Sequence, residues 1–124
     1  MNTQDNNTNF ENIGWIVEAK IKEGRREDFK VIVDEIVAET KKEGGTLNYQ
    51  YYVSDDGDVL VYERFANIES AHIHITNWDN FAERWLDAAP GTRMVHLGHL
   101  PEELTSRHAA LAPKLLKPFG GFAR

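Results

Sequence analysis

Between Thr46 and Ala66 two runs of β-type residues flank Asp55-Asp56-Gly57-Asp58, and this stretch limits the folds open to the chain more than any other. An Asp-Gly turn between such runs makes an antiparallel hairpin, with Gly57 where positive φ is needed. Taking Asp56-Gly57 as a two-residue turn sets Ser54 opposite Val59, Tyr52 opposite Val61, Gln50 opposite Glu63 and Asn48 opposite Phe65 on one face. Leu47, Tyr49, Tyr51, Val53, Leu60, Tyr62, Arg64 and Ala66 then share the other. Both faces carry large apolar side chains, whereas the solvent side of an antiparallel sheet is ordinarily polar. Helices of the same chain can cover one face. A second copy is the simplest cover for the other, so a homodimer is expected; the alternative is a scatter of surface tyrosines.

The segments around the hairpin supply those helices. Ile13, Trp15, Val17, Ala19 and Ile21 alternate with Gly14, Ile16, Glu18 and Lys20, which predicts a strand with one buried face. Phe29, Ile32, Val33, Ile36 and Val37 follow helical spacing between acidic Glu27-Asp28 and basic Lys41-Lys42. With Gly44-Gly45 beyond, they predict a helix over about residues 25–43. Asn67 reads as the N-cap of a second helix, with Ala71, His74, Trp78, Phe81 and Trp85 on one side and an end near Pro90-Gly91. Thr92 to Leu100 predicts a fourth strand, Pro101 opens a short helix to about Ala112, and Lys114 to Phe119 a last extended piece. Strand, helix, strand, strand, helix, strand is the ferredoxin-like α+β plan, β-α-β-β-α-β on one antiparallel sheet. The expected organisation is a tail over 1–12, a domain over 13–100 and a C-terminal helix and tail over 101–124.

Composition narrows the partners. Twenty acidic residues against fourteen Lys plus Arg give a net charge of −6, which argues against nucleic acid and anionic lipid surfaces. With no cysteine, disulfides, thiolate metal sites and catalytic thiols are absent. The polar first residues lack the pattern of a secretory leader, and the apolar runs are too short to cross a bilayer, so a cytoplasmic location is expected. On that reading the glycosylation match at Asn6-Asn7-Thr8 is accidental.

Few residues offer chemistry. His72 and His74 would share an ion on a strand but diverge on a helix, and no third ligand is evident, so no metal is expected. His74 falls on the apolar stripe, where burial should leave a neutral imidazole; it is either a proton acceptor or a core histidine satisfied by one hydrogen bond. Glu63, in a strand among apolar neighbours, needs a partner, either His74 in a cavity or a group across a dimer interface. Trp78, Phe81 and Trp85 make either a pocket wall for a flat aromatic ligand or plain core. No phosphate loop, zinc-protease, calcium-loop or nucleophile-elbow pattern occurs.

The run Tyr62-Glu63-Arg64-Phe65-Ala66-Asn67-Ile68-Glu69-Ser70-Ala71-His72-Ile73-His74 resembles the antibiotic biosynthesis monooxygenase family. Glu18-Ala19-Lys20, the Gly24 helix entry and Glu43-Gly44-Gly45-Thr46-Leu47-Asn48-Tyr49 are similar to it as well, so the likeness spans about residues 13–98. That resemblance implies a homodimer whose two sheets form a barrel, with a pocket between sheet and helices in each subunit. It further implies oxidation of a small aromatic or quinol-like compound by dioxygen without flavin, metal or other cofactor. Carried over by position, His74 is the base or acceptor and Glu63 orients it; Trp78, Phe81, Tyr52, Gln50 and Phe65 would contact the substrate. Asn80 stands where the family often has another His, and the Trp near Phe65 and first-strand Asn of the haem-degrading branch are absent. The competing reading is a non-catalytic dimeric protein of the same scaffold that binds a small ligand or serves in stress.

Overall fold

The computed structural model describes residues 12–124; the expected tail and the Asn6-Asn7-Thr8 match fall almost entirely outside them. Strand β1 (Ile13–Lys20) leads to helix α1 (Arg26–Thr40), then to β2 (Thr46–Val53) and β3 (Asp58–Phe65). Helices α2 (Ile68–Trp78) and α3 (Ala82–Ala88) follow, then β4 (Gly91–Leu97), a one-turn helix α4 (Glu102–Thr105), a 3-10 segment (Ser106–Leu111) and β5 (Lys114–Leu116).

The sheet order is β2-β3-β1-β4-β5. Its first four strands pair antiparallel, which is the ferredoxin-like arrangement. The added β5 runs parallel to β4, so the expected purely antiparallel sheet is in fact mixed.

Alternation along the strands decides which side chains the helices cover. Trp15 lies opposite Glu63 and His96, and Val17 opposite Val61 and Met94, so all six share the helix-facing side. Phe29, Ile32, Val33 and Ile36 of α1 pack there with Ala19, Val59, Val61 and Trp85 as one buried cluster. Trp15, Phe65, Ala71, Ile75, Met94 and Leu104 form a second. The two clusters meet over the middle of the sheet.

The hairpin register departs from the sequence reading by one residue. Tyr49 pairs with Glu63, Tyr51 with Val61 and Val53 with Val59; Gln50 lies opposite Tyr62 and Tyr52 opposite Leu60. The loop is Asp55-Asp56-Gly57, three residues rather than two: the Ser54 amide donates to the Asp58 carbonyl, and the Gly57 amide to the Ser54 carbonyl. Gly57, at φ +92°, is its left-handed third residue. One extra loop residue turns the β2 side chains from Asn48 to Val53 to the opposite face, up to the irregularity between Thr46 and Asn48. Tyr49 and Tyr51 therefore point under the helices, while Gln50 and the 57%-exposed Tyr52 lie on the outer face.

The expected second helix is two. After Trp78 the chain tightens into turns, with the Asn80 amide on the Asn77 carbonyl and the Phe81 amide on the Trp78 carbonyl, before α3 starts. Asn77, Asp79 and Asn80 are poor helix formers, and their density breaks the helix despite the continuous apolar stripe.

Candidate active site

Three segments converge on His74. Asn67 caps α2 by accepting from the Ser70 amide, which fixes the helix start and places His74, two turns on, over the sheet. Glu63 rises from the centre of β3 beneath it. Glu43 arrives from the loop between α1 and β2, pressed inward because Gly45 has no side chain. A Cβ there would lie 1.8 Å from the Ser70 hydroxyl. The carbonyl of Gly45 also accepts from the Ala66 amide, tying the loop to the end of β3.

The resulting group is a buried imidazole between two carboxylates. His74 Nδ1 lies 3.0 Å from Glu43 Oε1, and Nε2 lies 3.0 Å from Glu63 Oε1. Asn77 Nδ2 and the Thr46 hydroxyl donate to the same Glu43, and Trp15 Nε1 donates to Glu63 Oε1 at 2.8 Å. Burial alone would lower the His74 pKa, but hydrogen bonds and charge from Glu43 and Glu63 together outweigh it and lift it to about 9. For Glu43, burial pushes upward and is overcome by its bonds from His74, Asn77 and Thr46, so its carboxyl sits below the usual range.

This corrects the expected neutral histidine. At neutral pH His74 is an imidazolium that donates from both nitrogens and has no lone pair for a substrate proton. The two carboxylates sit on opposite edges of the ring, so they do not converge on one ion. Among the described residues no group of three ligating side chains is placed to hold a metal. His72 diverges from His74 on α2, and its Nδ1 accepts from Arg107 of the 3-10 segment at 3.0 Å.

Beside the triad lies a cavity of about 180 Å³ between the sheet and the helices. Its wall joins the aromatic Trp15, Tyr49, Tyr51, Trp78 and Trp85 to aliphatic side chains of the sheet and helices, and Glu63, His74, His108, Thr92 and Arg93 are its polar members. Trp85 Nε1 donates to the Tyr51 hydroxyl at 2.8 Å, and the Tyr51 and Tyr49 hydroxyls are 2.7 Å apart. Burial, with the Glu63 charge contributing, raises both phenol pKa values, so these groups stay protonated. Tyr49 also meets the edge of His74, ring centroids 5.0 Å apart.

Of the residues singled out in the sequence, Glu63, His74, Trp78 and Trp85 come together at this cavity. Phe65 is buried behind it, against His74 and Trp15. Phe81 falls at the helix break as the residue preceding α3 and does not line the cavity. Gln50 and Tyr52 are on the far side of the sheet, and Tyr49 and Tyr51 take the places expected of them. Glu43 and His108 went unrecognised. Glu43 stands beside two lysines and two glycines, and His108 has no periodic partner; only tertiary contact identifies either.

The site is a buried carboxylate–imidazolium–carboxylate group beside a cavity in a small ferredoxin-like domain. The chain belongs to the antibiotic biosynthesis monooxygenase family, whose model matches residues 13–84, more than half of its length. Among solved structures it is similar to MupZ from Pseudomonas fluorescens, at 19% identity over 92% of this chain and 95% of that one, with a TM-score of 0.78. It is also similar to Rv0793 from Mycobacterium tuberculosis, at 20% identity over 74% and 98% of the two chains and a TM-score of 0.63. A structure described as an antibiotic biosynthesis monooxygenase aligns at 19% identity over 72% and 99%, TM-score 0.62. At these identities the likeness is one of fold. A search of curated proteins returned no match. No helix among the described residues is long and apolar enough to cross a membrane.

Proposed function

We propose that the chain is a cofactor-independent monooxygenase that oxidises a small hydroxylated aromatic compound with dioxygen. The observation that carries this reading is the Glu63 carboxylate, anchored through Oε1 by Trp15 and His74 and lining a cavity with five Trp and Tyr side chains in its wall. An apolar cavity of about 150 Å³ takes up benzene, so this one has the scale of a substituted single ring.

Glu63, rather than His74, is the base. Its Oε2 has no donor assigned among the described residues and takes the phenolic proton, while the charged His74 beside it offsets the negative charge developing on the substrate. The phenolate passes one electron to dioxygen, giving an aryloxyl radical and superoxide. These combine at an unsubstituted ring carbon, and Glu63 returns the proton to the outer oxygen to give a hydroperoxide. Loss of that carbon's hydrogen with O–O cleavage releases water and leaves the quinone carbonyl. Phenol plus dioxygen thus gives quinone plus water, and the substrate supplies all the electrons. The aromatic walls hold the ring and exclude bulk water.

Oxygen consumption over a panel of quinols and hydroxynaphthalenes tests the reading. Uptake above buffer, falling by about 10²–10⁴-fold in a folded Glu63→Gln variant, is expected. No uptake by the native protein, or unchanged uptake in the variant, overturns it and favours a binding protein, in which the triad only ties α2 to the sheet.

The proposed assembly is a homodimer joined through the outer sheet face. Tyr52 lies exposed there, beside partly buried Leu60, Tyr62 and Ile16. Sedimentation at micromolar concentration is expected to give twice the chain mass; a monomer contradicts it.

A further inference from the structure

Two buried histidines have no part in the proton path above. His96 of β4 and His108 of the 3-10 segment meet at 2.9 Å, Nε2 to Nδ1. Both pack on Trp15, with ring centroids at 5.5 and 4.7 Å, and His108 lines the cavity. His96 Nδ1 is buried without a hydrogen-bond partner.

That orphaned atom settles where the protons are. If His108 donated from Nδ1, His96 would carry its own proton on Nδ1, leaving a buried N–H unpaired. A buried N–H without an acceptor is rarer and more costly than an unused lone pair. His96 therefore donates from Nε2 to His108 Nδ1. His108 in turn holds its proton on Nε2, the nitrogen for which the described residues supply no partner.

The Trp15 indole touches both groups, its N–H holding Glu63 and its ring packing on His108, and both line the cavity. We infer that His108 Nε2–H binds a carbonyl oxygen of the substrate, with His96 as its positioning residue, so that the substrate class is a hydroxyaryl ketone or hydroxyquinone. The Glu63 end of this inference rests on the monooxygenase reading; the His108 end stands on the histidine pair.

The chemistry of the base supports the same class. A carboxylate is a weak acceptor for the proton of a simple phenol, whose pKa is about 10. A carbonyl conjugated with the hydroxyl makes that phenol more acidic and shares the phenolate charge with the carbonyl oxygen, where a donor stabilises it. Burial, followed by the charges of His96, Arg107 and His74, pulls the His108 pKa down to about 3, and burial lowers that of His96. The donor is therefore a neutral imidazole over the whole neutral range.

Two probes of one shape and size, 4-hydroxyacetophenone and 4-ethylphenol, differ at the carbonyl, and their binding to the full chain is followed by calorimetry. The ketone is expected to bind about 10-fold more tightly, the worth of one well-placed hydrogen bond. In His108→Phe the two affinities should converge with that for 4-ethylphenol retained, and His108→Gln, which keeps an N–H donor, should restore part of the preference. His96→Leu should reduce the preference without abolishing binding. Long-range ¹H–¹⁵N correlation spectra of the native protein should show His108 protonated at Nε2. Equal affinities, loss of binding to both probes, a preference that survives His108→Phe, or a His108 protonated at Nδ1 would each overturn the inference. Oxygen consumption is not part of this readout. A carbonyl preference without turnover leaves the carbonyl subsite standing while the monooxygenase reading fails, and turnover without the preference does the reverse.

Discussion

At the scale of single residues, the cost of the His74 triad and its use are one fact. Two carboxylates buried at 3.0 Å from one imidazolium are tolerable only while the charge between them is kept. His74→Phe preserves the ring's shape but leaves Glu43 and Glu63 facing an apolar edge. It should destabilise the fold by about 3–5 kcal/mol in urea titration, the range for breaking a buried ion pair. Adding Glu43→Gln to His74→Phe should cost less than the sum of the two single changes, because the second substitution removes a charge already stranded. Additive losses would show that the three groups do not share one network. Two of these three residues are visible in the sequence. Glu63 stood out as a carboxylate in an apolar strand and His74 as a histidine on an apolar stripe, and both judgements needed only periodicity. Glu43 stood beside two lysines and two glycines, where a solvated charge is the ordinary reading, and nothing local distinguishes it.

At the scale of elements, the order of strands and helices was legible because each carries a clean period of two or of about 3.6 residues. The joints were less so. A two-residue and a three-residue loop fit Ser54-Asp55-Asp56-Gly57-Asp58 equally well on residue type, yet they send opposite sets of tyrosines into the cavity. Likewise the apolar stripe of the second helix runs through the break at Asp79 and Asn80, where the backbone turns although the pattern continues. Joints also position the site, and Gly45 is the sharpest example. An added methyl would fall 1.8 Å from Ser70 Oγ and 2.5 Å from its Cβ, so Gly45→Ala must move the loop away from α2 and carry Glu43 with it. We expect a loss of about 1–3 kcal/mol, the scale of an overpacked contact, with recovery of most of it in Gly45→Ala combined with Ser70→Gly. If the double variant is no more stable than the single one, the loop is held by something other than this close approach.

At the scale of the whole molecule, its buried histidines pull stability in opposite directions with pH. His74, raised from 6.5 to about 9, keeps its proton in the folded state after the unfolded chain has lost it. Its stabilisation is complete below pH 6.5 and drains away as the pH climbs to 9. His96 and His108 have lowered values, so below pH 6.5 the unfolded chain takes up protons that the folded pair refuses, and stability falls with acidification. Glu43, depressed below 4.5, adds a further loss at more acid pH, and Tyr49 and Tyr51, raised above 10, add one in strong alkali. The limbs meet near pH 6.5, where the urea midpoint should peak, with slopes approaching about 1.4 kcal/mol per pH unit for each proton exchanged. Assignment of the limbs follows from single variants. His74→Phe should flatten the alkaline side while leaving the loss just below pH 6.5 that His96 and His108 cause, and His108→Gln should lessen that loss and spare the alkaline side. A midpoint that holds level from pH 6.5 to 9 in the native protein would mean that His74 is not charged between its two carboxylates, and the proton path through Glu63 would lose its electrostatic support.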